Sequence, residues 1–105
     1  MAYSFIIQPE ALGDLDEILE WYNRGSKKPG VRFLNEFYRH ADLLCQTPRM
    51  CKKSFFQFRK WPLRIFPYYI VYMVVEAEKR VVVFAIWHKK RGYFELKERL
   101  KPKSK

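Results

Sequence analysis

The sequence predicts a small α+β domain in which a helical hairpin packs on one face of a mainly antiparallel sheet, in the order β-α-α-β-β-β. Two observations lead to this fold. Apolar residues recur at helical spacing in the first half of the chain, whereas the second half is rich in aromatic and β-branched residues. The chain has 105 residues, 49% of them hydrophobic and 30% charged. We therefore expect one globular domain over residues 1–105.

The first two elements are a strand and an amphipathic helix. "YSFII" (Tyr3–Ile7) has the composition of a short strand, and Pro9 suits the first position of a helix. From Pro9 to Tyr22 apolar residues repeat at intervals of three and four, and acidic residues fill the opposite face. We expect these acidic side chains, Asp14 and Glu17 among them, to be solvated and to have no catalytic role.

A second helix follows a connector. "NRGSKKPG" (23–30) is rich in Gly, Pro and Lys and predicts a loop. The next apolar stripe runs from Val31 to Leu44, and Thr47-Pro48 ends it. Two adjacent helices joined by a short loop predict a helical hairpin.

The remaining segments predict the sheet. Three strands are expected, at Lys53–Trp61, Leu63–Val75 and Arg80–His88, with "EAEK" as the tight connection between the last two. Pro67 predicts a bulge, a bend or a sheet edge inside the second of these. The C-terminal stretch predicts one or two amphipathic turns, followed by a disordered basic tail at about residues 100–105.

The distribution of charge restricts the partners. The net charge is +10; five of the eleven acids precede Arg24, whereas 20 of the 21 bases follow it. Such a chain attracts a polyanion or an acidic protein. No apolar run is long enough to span a bilayer, and the N-terminus does not resemble a signal peptide, so we expect a cytoplasmic protein without membrane contacts. Cys45 and Cys51 are expected to be free thiols, and no metal or cofactor motif is present.

Basic residues alternate with aromatic ones in the second half of the chain. The candidates for binding nucleic acid or another target are Lys52, Arg59, Lys60, Lys89, Lys90 and Tyr93. Cations and aromatic rings on one sheet surface could hold phosphates and stack bases. The alternative is a solvated basic face with no specific partner.

The same region contains the residues of a metal-independent ribonuclease. Such an enzyme needs a proton-transfer group and cations on the scissile phosphate. His88 is the candidate acid or base, Arg64, Arg91 and Lys53 are candidates for the phosphate, and Tyr93 is a further proton donor. The alternative for His88 is a histidine at a strand end that makes a backbone hydrogen bond. His40, in the second helix, is expected to be structural or on the surface.

One segment resembles a known family. "FPYYIVYMVVEAEKRVVVFAIWHKKR" (66–91) is similar to the C-terminal sheet of the RelE/ParE superfamily, the toxins of bacterial type II toxin–antitoxin modules, often called plasmid stabilisation proteins. The leading strand and helical hairpin fit the same order. The resemblance implies a compact sheet crossed by a helical hairpin. It also implies growth inhibition, and a cognate antitoxin whose usually acidic segment wraps over the basic surface. Because the bases crowd the second half of the chain, we expect that segment to cover the basic sheet surface and the side of the second helix.

The superfamily has two mechanistic branches. RelE-like members cleave mRNA on the ribosome without a metal, and ParE-like members inhibit DNA gyrase. The nuclease branch usually has an arginine on the first sheet strand of this segment, a second ending the last strand, and a later tyrosine. Tyr69 stands at the first of these positions, Arg91 matches the second, and the third has no clear match. A neutral tyrosine cannot replace a bidentate cation.

These departures favour the ParE-like branch and gyrase as the target. "FPY" and His88, three residues before Arg91, also resemble ParE-like members, although some nuclease relatives have a histidine at this strand end. A ribosome-dependent mRNA endonuclease remains the alternative. A non-toxic basic module that binds nucleic acid is a third possibility.

Overall fold

The computed structural model describes residues 3–26 and 28–101. The elements in chain order are β1 (Ser4–Ile7), α1 (Pro9–Tyr22), α2 (Lys28–Gln46), β2 (Lys53–Phe55), β3 (Phe58–Pro62), β4 (Tyr68–Val75), β5 (Arg80–His88) and α3 (Tyr93–Leu100). One sheet has the strand order β1-β5-β4-β3-β2; β1 runs parallel to β5, and the other neighbours are antiparallel. The predicted α+β class and mainly antiparallel sheet are confirmed. Among the described residues, no helix is long and apolar enough to cross a membrane.

Several element boundaries differ from the prediction. The stretch Lys53–Trp61 forms two strands rather than one, because Phe56 adopts a positive φ of 51° and reverses the chain between β2 and β3. Residues 63–67 form a loop before β4 instead of its first part. The second helix begins at Lys28, since Pro29 lies in the first turn, where its missing N–H costs no hydrogen bond.

The helical hairpin of α1 and α2 covers one face of the sheet, as predicted. Its core contains Phe33 and Phe37 from α2, packed with Ile70 and Tyr72 from β4, and all four are fully buried. The Tyr72 hydroxyl donates to the carbonyl of Pro48 at 2.8 Å. Burial, and then the neighbouring Cys51 thiol, raise the pKa of Tyr72 well above its ordinary value, and nearby Arg59 offsets this only in part. The uncharged hydroxyl of Tyr72 therefore connects the sheet to the end of α2 through a hydrogen bond.

The opposite face of the sheet is covered by α3. Leu96 is 1% exposed and packs against Val71, Ala85 and Trp87. A bulge adapts β5 to this face: Val71 pairs with Ala85 and Tyr72 with Val83, so Phe84 is an extra residue. The C-terminal turns are thus a packed helix. The predicted disordered tail falls mostly on residues 102–105, which lie outside the described residues.

Asp14 contradicts the expectation that the acids of the first helix are solvated. Its side chain is buried, whereas the other acids of α1 are exposed. The strand β1 ends opposite Val83, which leaves the following edge of β5 without a strand partner. Asp14 Oδ2 accepts the N–H of Ile86 at 3.0 Å, and its Oδ1 accepts Arg99 Nη1 at 2.7 Å. The carboxylate satisfies a backbone donor that β1 does not reach.

Candidate ligand-binding cleft at the end of strand β5

The last two residues of β5 point to opposite faces of the sheet, because side chains alternate along a strand. Trp87 is paired with Tyr69 and belongs to the face covered by α3. His88 is paired with Tyr68, and their rings make an edge contact with centroids 5.0 Å apart. The pleat therefore places the rings of His88 and Tyr68 on the face of the sheet opposite to those of Trp87 and Tyr69.

A cleft of about 180 Å³ lies between the end of β5 and the start of α3. We call it the β5-end cleft; its principal lining residues are Lys60, Tyr69, Trp87, Lys89, Arg91 and Tyr93. Lys60 Nζ lies 4.7 Å from the centre of the Tyr69 ring and 5.7 Å from that of Tyr93. Lys89 Nζ lies 5.5 Å from the Tyr69 ring. The cleft thus combines two ammonium groups with two phenol rings, a set suited to an anionic ligand with a planar group.

The lysines of this cleft are held by backbone contacts of different elements. Lys60 is fixed by β3, where it pairs with Val71. Lys89 donates its backbone N–H to the carbonyl of Pro67 at 2.8 Å, and its Nζ lies 3.4 Å from the carbonyl of Leu63. Pro67 therefore belongs to the loop that positions Lys89, rather than to a bulge within a strand.

Arg91 is the cation nearest to Trp87. Its guanidinium carbon lies 3.8 Å from the Trp87 ring, and its Nε lies 3.7 Å from Glu95 on α3. The Arg91 side chain remains 45% exposed, so it can reach an incoming anion. Trp87 itself is 2% exposed, and its Nε1 has no hydrogen-bond partner within the described part of the chain.

His88 makes the backbone hydrogen bond that was the alternative to a catalytic role for a histidine at a strand end. Its Nδ1 accepts the backbone N–H of Lys90 at 3.0 Å, which closes the turn after β5. On the hairpin side its ring lines a separate cavity of about 180 Å³ with Glu17, Trp21 and Tyr68. Burial, and then the neighbouring Tyr22, raise the pKa of Tyr68. His88 also lines the β5-end cleft.

The other basic candidates lie apart from this cleft. Lys53 pairs with Arg59, and Arg59 pairs with Tyr72, so both sit toward the middle and far end of β4. Arg59 donates to the carbonyl of Cys51 at 2.6 Å. Lys52 precedes β2 and is exposed, and Lys90 is exposed in the turn after β5. The sequence grouped Arg59 with Lys60, but the strand pleat directs neighbouring residues to opposite faces.

Arg64 lies in the loop between β3 and β4, next to a buried carboxylate that the sequence did not single out. Glu36 on α2 is 4% exposed, and its Oε2 accepts the backbone N–H groups of residues 64 and 65, each at 3.2 Å. Arg39 Nη2 donates to the other oxygen at 2.6 Å. Burial alone would raise the pKa of Glu36, but these donors and nearby His40 outweigh it and lower the pKa. The ionised carboxylate fixes the loop that also contacts Lys89.

His40 and Trp61 extend this network into the core. Trp61 Nε1 donates to His40 Nδ1 at 3.0 Å, and His40 Nε2 faces Glu36 Oε2 at 3.0 Å. His40 is 3% exposed, so it is a structural rather than a surface residue. The i, i+4 spacing of Glu36 and His40 was visible in the sequence, but nothing there indicated that the pair faces inward.

A family model matches most of this fold. Residues 5–93 match the family described as "ParE toxin of type II toxin-antitoxin system, parDE". The match includes β3, β4 and β5, the three strands that contribute residues to the β5-end cleft, and stops at Tyr93, the first residue of α3. No curated protein matches the chain closely enough to count as a relative.

Solved structures show the same architecture. A chain of the chromosomal ParDE system from P. aeruginosa aligns with a TM-score of 0.69 at 18% identity, covering 83% of this chain and 96% of that one. The intact E. coli RelBE toxin–antitoxin complex gives 0.60 at 22% identity, covering 86% and 100%. The RelBE2 complex from Mycobacterium tuberculosis gives 0.62 at 19% identity, covering 84% and 99%. With the fold and the family match in agreement, the chain belongs to the ParE toxin family of type II toxin–antitoxin systems, within the RelE/ParE superfamily.

Proposed function

We propose that this toxin inhibits growth by acting on DNA gyrase in the ParE-like manner, in the cytoplasm, and that a cognate antitoxin neutralises it. The observation that carries the proposal is the position of Tyr69. Tyr69, a neutral phenol, lines the β5-end cleft at the position where the resemblance to the nuclease branch implies an arginine. A surface of this kind can bind an anionic or polar target without being built for phosphoryl transfer.

The position of His88 supports the same branch. Cleavage of RNA without a metal needs a proton-transfer group directed at the scissile phosphate. The His88 ring packs on Tyr68 at the hairpin side, and its Nδ1 is occupied by the Lys90 N–H. The lysines flanking Tyr69 supply positive charge, but an ammonium group lacks the bidentate geometry of arginine.

A ribosome-dependent mRNA endonuclease is the second candidate, and one observation favours it. Lys60, Lys89 and Arg91 converge on one small cleft beside Tyr93, whose phenol could donate a proton. Under this alternative Arg91 and the lysines hold the phosphate, and His88, which also lines the cleft, is the acid or base. Lys53 and Arg64 would contribute only to binding, since neither lines the cleft.

A cognate antitoxin is proposed as the natural partner. The RelBE and RelBE2 neighbours are toxin–antitoxin complexes. A net charge of +10 on this chain favours an acidic binding segment over the basic sheet surface and the side of α2. We expect the affinity of the pair to fall as salt concentration rises. An affinity independent of salt would argue against an electrostatic fit.

The decisive experiment separates the two targets in growth-arrested cells. We expect induction of the toxin to stop growth, co-expression of the antitoxin to restore it, and plasmid DNA from arrested cells to lose negative supercoils while transcripts remain intact. Purified toxin should inhibit gyrase supercoiling in vitro. Arg91→Ala should weaken the inhibition, whereas Lys28→Ala, which removes an equal charge at an exposed position outside the cleft lining, should not.

Opposite results would reject the proposal. Transcripts cut within the coding region, with gyrase unaffected, would establish the endonuclease; cleavage should then be lost in His88→Ala and Arg91→Ala. Normal growth in the presence of folded, soluble protein would contradict both toxic functions.

A further inference from the structure

An apolar groove lies at the C-terminal end of α2, away from the β5-end cleft. It has a volume of about 380 Å³ and runs between Tyr3 and the loop after α2, with Thr47, Pro48 and Met50 along it. Met50 is 72% exposed, although it is a large apolar side chain. We call this feature the Met50 groove. The apolar surface of Tyr3, Pro48 and Met50 suits an aliphatic side chain of a partner.

A basic cleft adjoins this groove and shares Arg49 with it. The cleft, here the Lys53 cleft, has a volume of about 240 Å³ and is lined by the cations Arg49, Lys53 and Arg59. Glu76 is the carboxylate among its lining residues, and it is occupied by an ion pair with Arg49 and by the Tyr3 hydroxyl at 2.9 Å. Three cations around one neutralised carboxylate leave a net positive site.

The Met50 groove and the Lys53 cleft lie at a different part of the sheet from the β5-end cleft. The Lys53 cleft contacts Met73 and Val74, whereas the β5-end cleft contacts Tyr69 on the same strand. Four residues of β-strand correspond to about 13 Å. The short strand β2, which begins with Lys53, also forms one end of the sheet and presents an edge to which an extended segment can be added.

We propose that the Met50 groove and the Lys53 cleft together bind an acidic polypeptide segment, with an apolar anchor side chain in the groove and carboxylates on Lys53 and Arg59. A polypeptide supplies both groups within a few residues. Nucleic acid fits less well, because Tyr3 is the one aromatic side chain among the residues that line the groove, which leaves no second ring between which a base could stack. The inference rests on the proposed function in one respect, since the antitoxin is the natural source of such a segment.

The test uses purified full-length toxin and three labelled probes in fluorescence anisotropy. The first is a 12-residue peptide with a central leucine flanked by glutamates, and the second replaces that leucine by serine. The third is a 12-nucleotide single-stranded RNA. The variants are Lys53→Glu and Met50→Gln, both at exposed positions, with Lys28→Glu as the control that changes net charge equally at the other end of α2. Circular dichroism verifies that each variant is folded.

We expect Lys53→Glu to weaken binding of the leucine peptide about five- to tenfold and Lys28→Glu to weaken it less than about twofold. Met50→Gln should weaken it about fivefold. The serine peptide should bind more weakly than the leucine peptide and be insensitive to Met50→Gln.

Three results would overturn the inference: equal losses in Lys53→Glu and Lys28→Glu, equal binding of the two peptides, or a loss confined to the RNA probe. The growth assay is independent of this measurement. A toxin that arrests growth but shows no site-specific peptide binding rejects the docking surface alone, whereas a toxin without growth arrest rejects the proposed function and leaves the anisotropy result standing.

Discussion

Arg99 of α3 and Asp14 of α1 form an ion pair with Nη1 and Oδ1 2.7 Å apart, and the pair joins the two helices around the open edge of β5. The side chains of Arg99 and Asp14 are 17% and 10% exposed. The same carboxylate accepts the N–H of Ile86, and Arg99 Nη2 donates to the carbonyl of Phe84 at 3.3 Å. One buried carboxylate thus fixes both the strand edge and the C-terminal helix.

Replacing that carboxylate should be costly. We expect Asp14→Ala to lower the free energy of unfolding by about 2–4 kcal/mol, because it leaves the partly buried guanidinium of Arg99 without a charge partner and the N–H of Ile86 without an acceptor. Urea denaturation measures the change. Glu17→Ala, at an exposed position of the same helix, should change stability by less than about 0.5 kcal/mol. Equal, small effects of both substitutions would contradict the role assigned to Asp14.

The buried carboxylate of Glu36 predicts an acid-sensitive fold. Its pKa in the folded state is lowered from an ordinary value of 4.5, so its contribution to stability is fully present above that pH. The contribution is lost as the pH falls through the folded-state pKa. We expect wild-type stability to decrease as the pH falls below about 4.5, and Glu36→Gln to show a shallower decrease.

The control for this prediction is Glu20→Gln, because Glu20 is exposed on α1. At neutral pH Glu36→Gln should be less stable than wild type by about 1–3 kcal/mol, since the buried donors lose a charged acceptor. Denaturant unfolding between pH 3 and 7 gives both quantities. If the slopes of wild type and Glu36→Gln coincide, the carboxylate is not the group responsible.

Much of the fold was visible in the sequence because its signals are local and periodic. The stripe from Leu15 to Ile18 and the run "VVVFAI" have the periodicity of the elements they form. Phe56 gave no such signal: a phenylalanine is an unusual residue for a positive φ, so the hairpin between β2 and β3 was missed. Tertiary context decides this turn, and it is not encoded in composition.

The candidate site was predictable only in part, for a similar reason. Lys89, Arg91 and Tyr93 lie close together in sequence and remain together in the β5-end cleft. Arg59 and Lys60 are adjacent in sequence, yet only Lys60 lines that cleft. Strand pairing and pleat decide which cations meet, and neither can be assigned before the register is known.

Substitutions at Trp87 should separate the contribution of ring size to stability from that of hydrogen bonding. Its indole is buried, but Nε1 has no partner among the described residues, so no hydrogen bond offsets the cost of removing this N–H from water. We expect Trp87→Phe to cost less than about 1.5 kcal/mol. Trp87→Ala should cost about 3–5 kcal/mol, because it leaves a cavity beneath Arg91.

Thermal and urea unfolding of both Trp87 variants tests this difference. Trp21→Ala is the matched control, since Trp21 is 59% exposed and its truncation leaves no cavity. A loss in Trp87→Phe as large as that in Trp87→Ala would show that the indole N–H has a partner in solution.

Replacing Tyr69 by a cation should raise the affinity for RNA without producing RNA cleavage. Tyr69→Arg would place a guanidinium between Lys60 and Lys89, whose Nζ atoms lie 4.7 and 5.5 Å from the present ring. We expect affinity for single-stranded RNA to rise about three- to tenfold, with a steeper dependence on salt, because one more phosphate is neutralised. Tyr69→Lys should give a smaller rise, since it adds charge without bidentate geometry.

No cleavage should appear in either variant, because the His88 ring remains packed on Tyr68 at the other face. Filter binding at several salt concentrations and gel analysis of labelled RNA give both readouts, and cleavage by Tyr69→Arg alone would show that the missing cation was all that separated this cleft from a nuclease site.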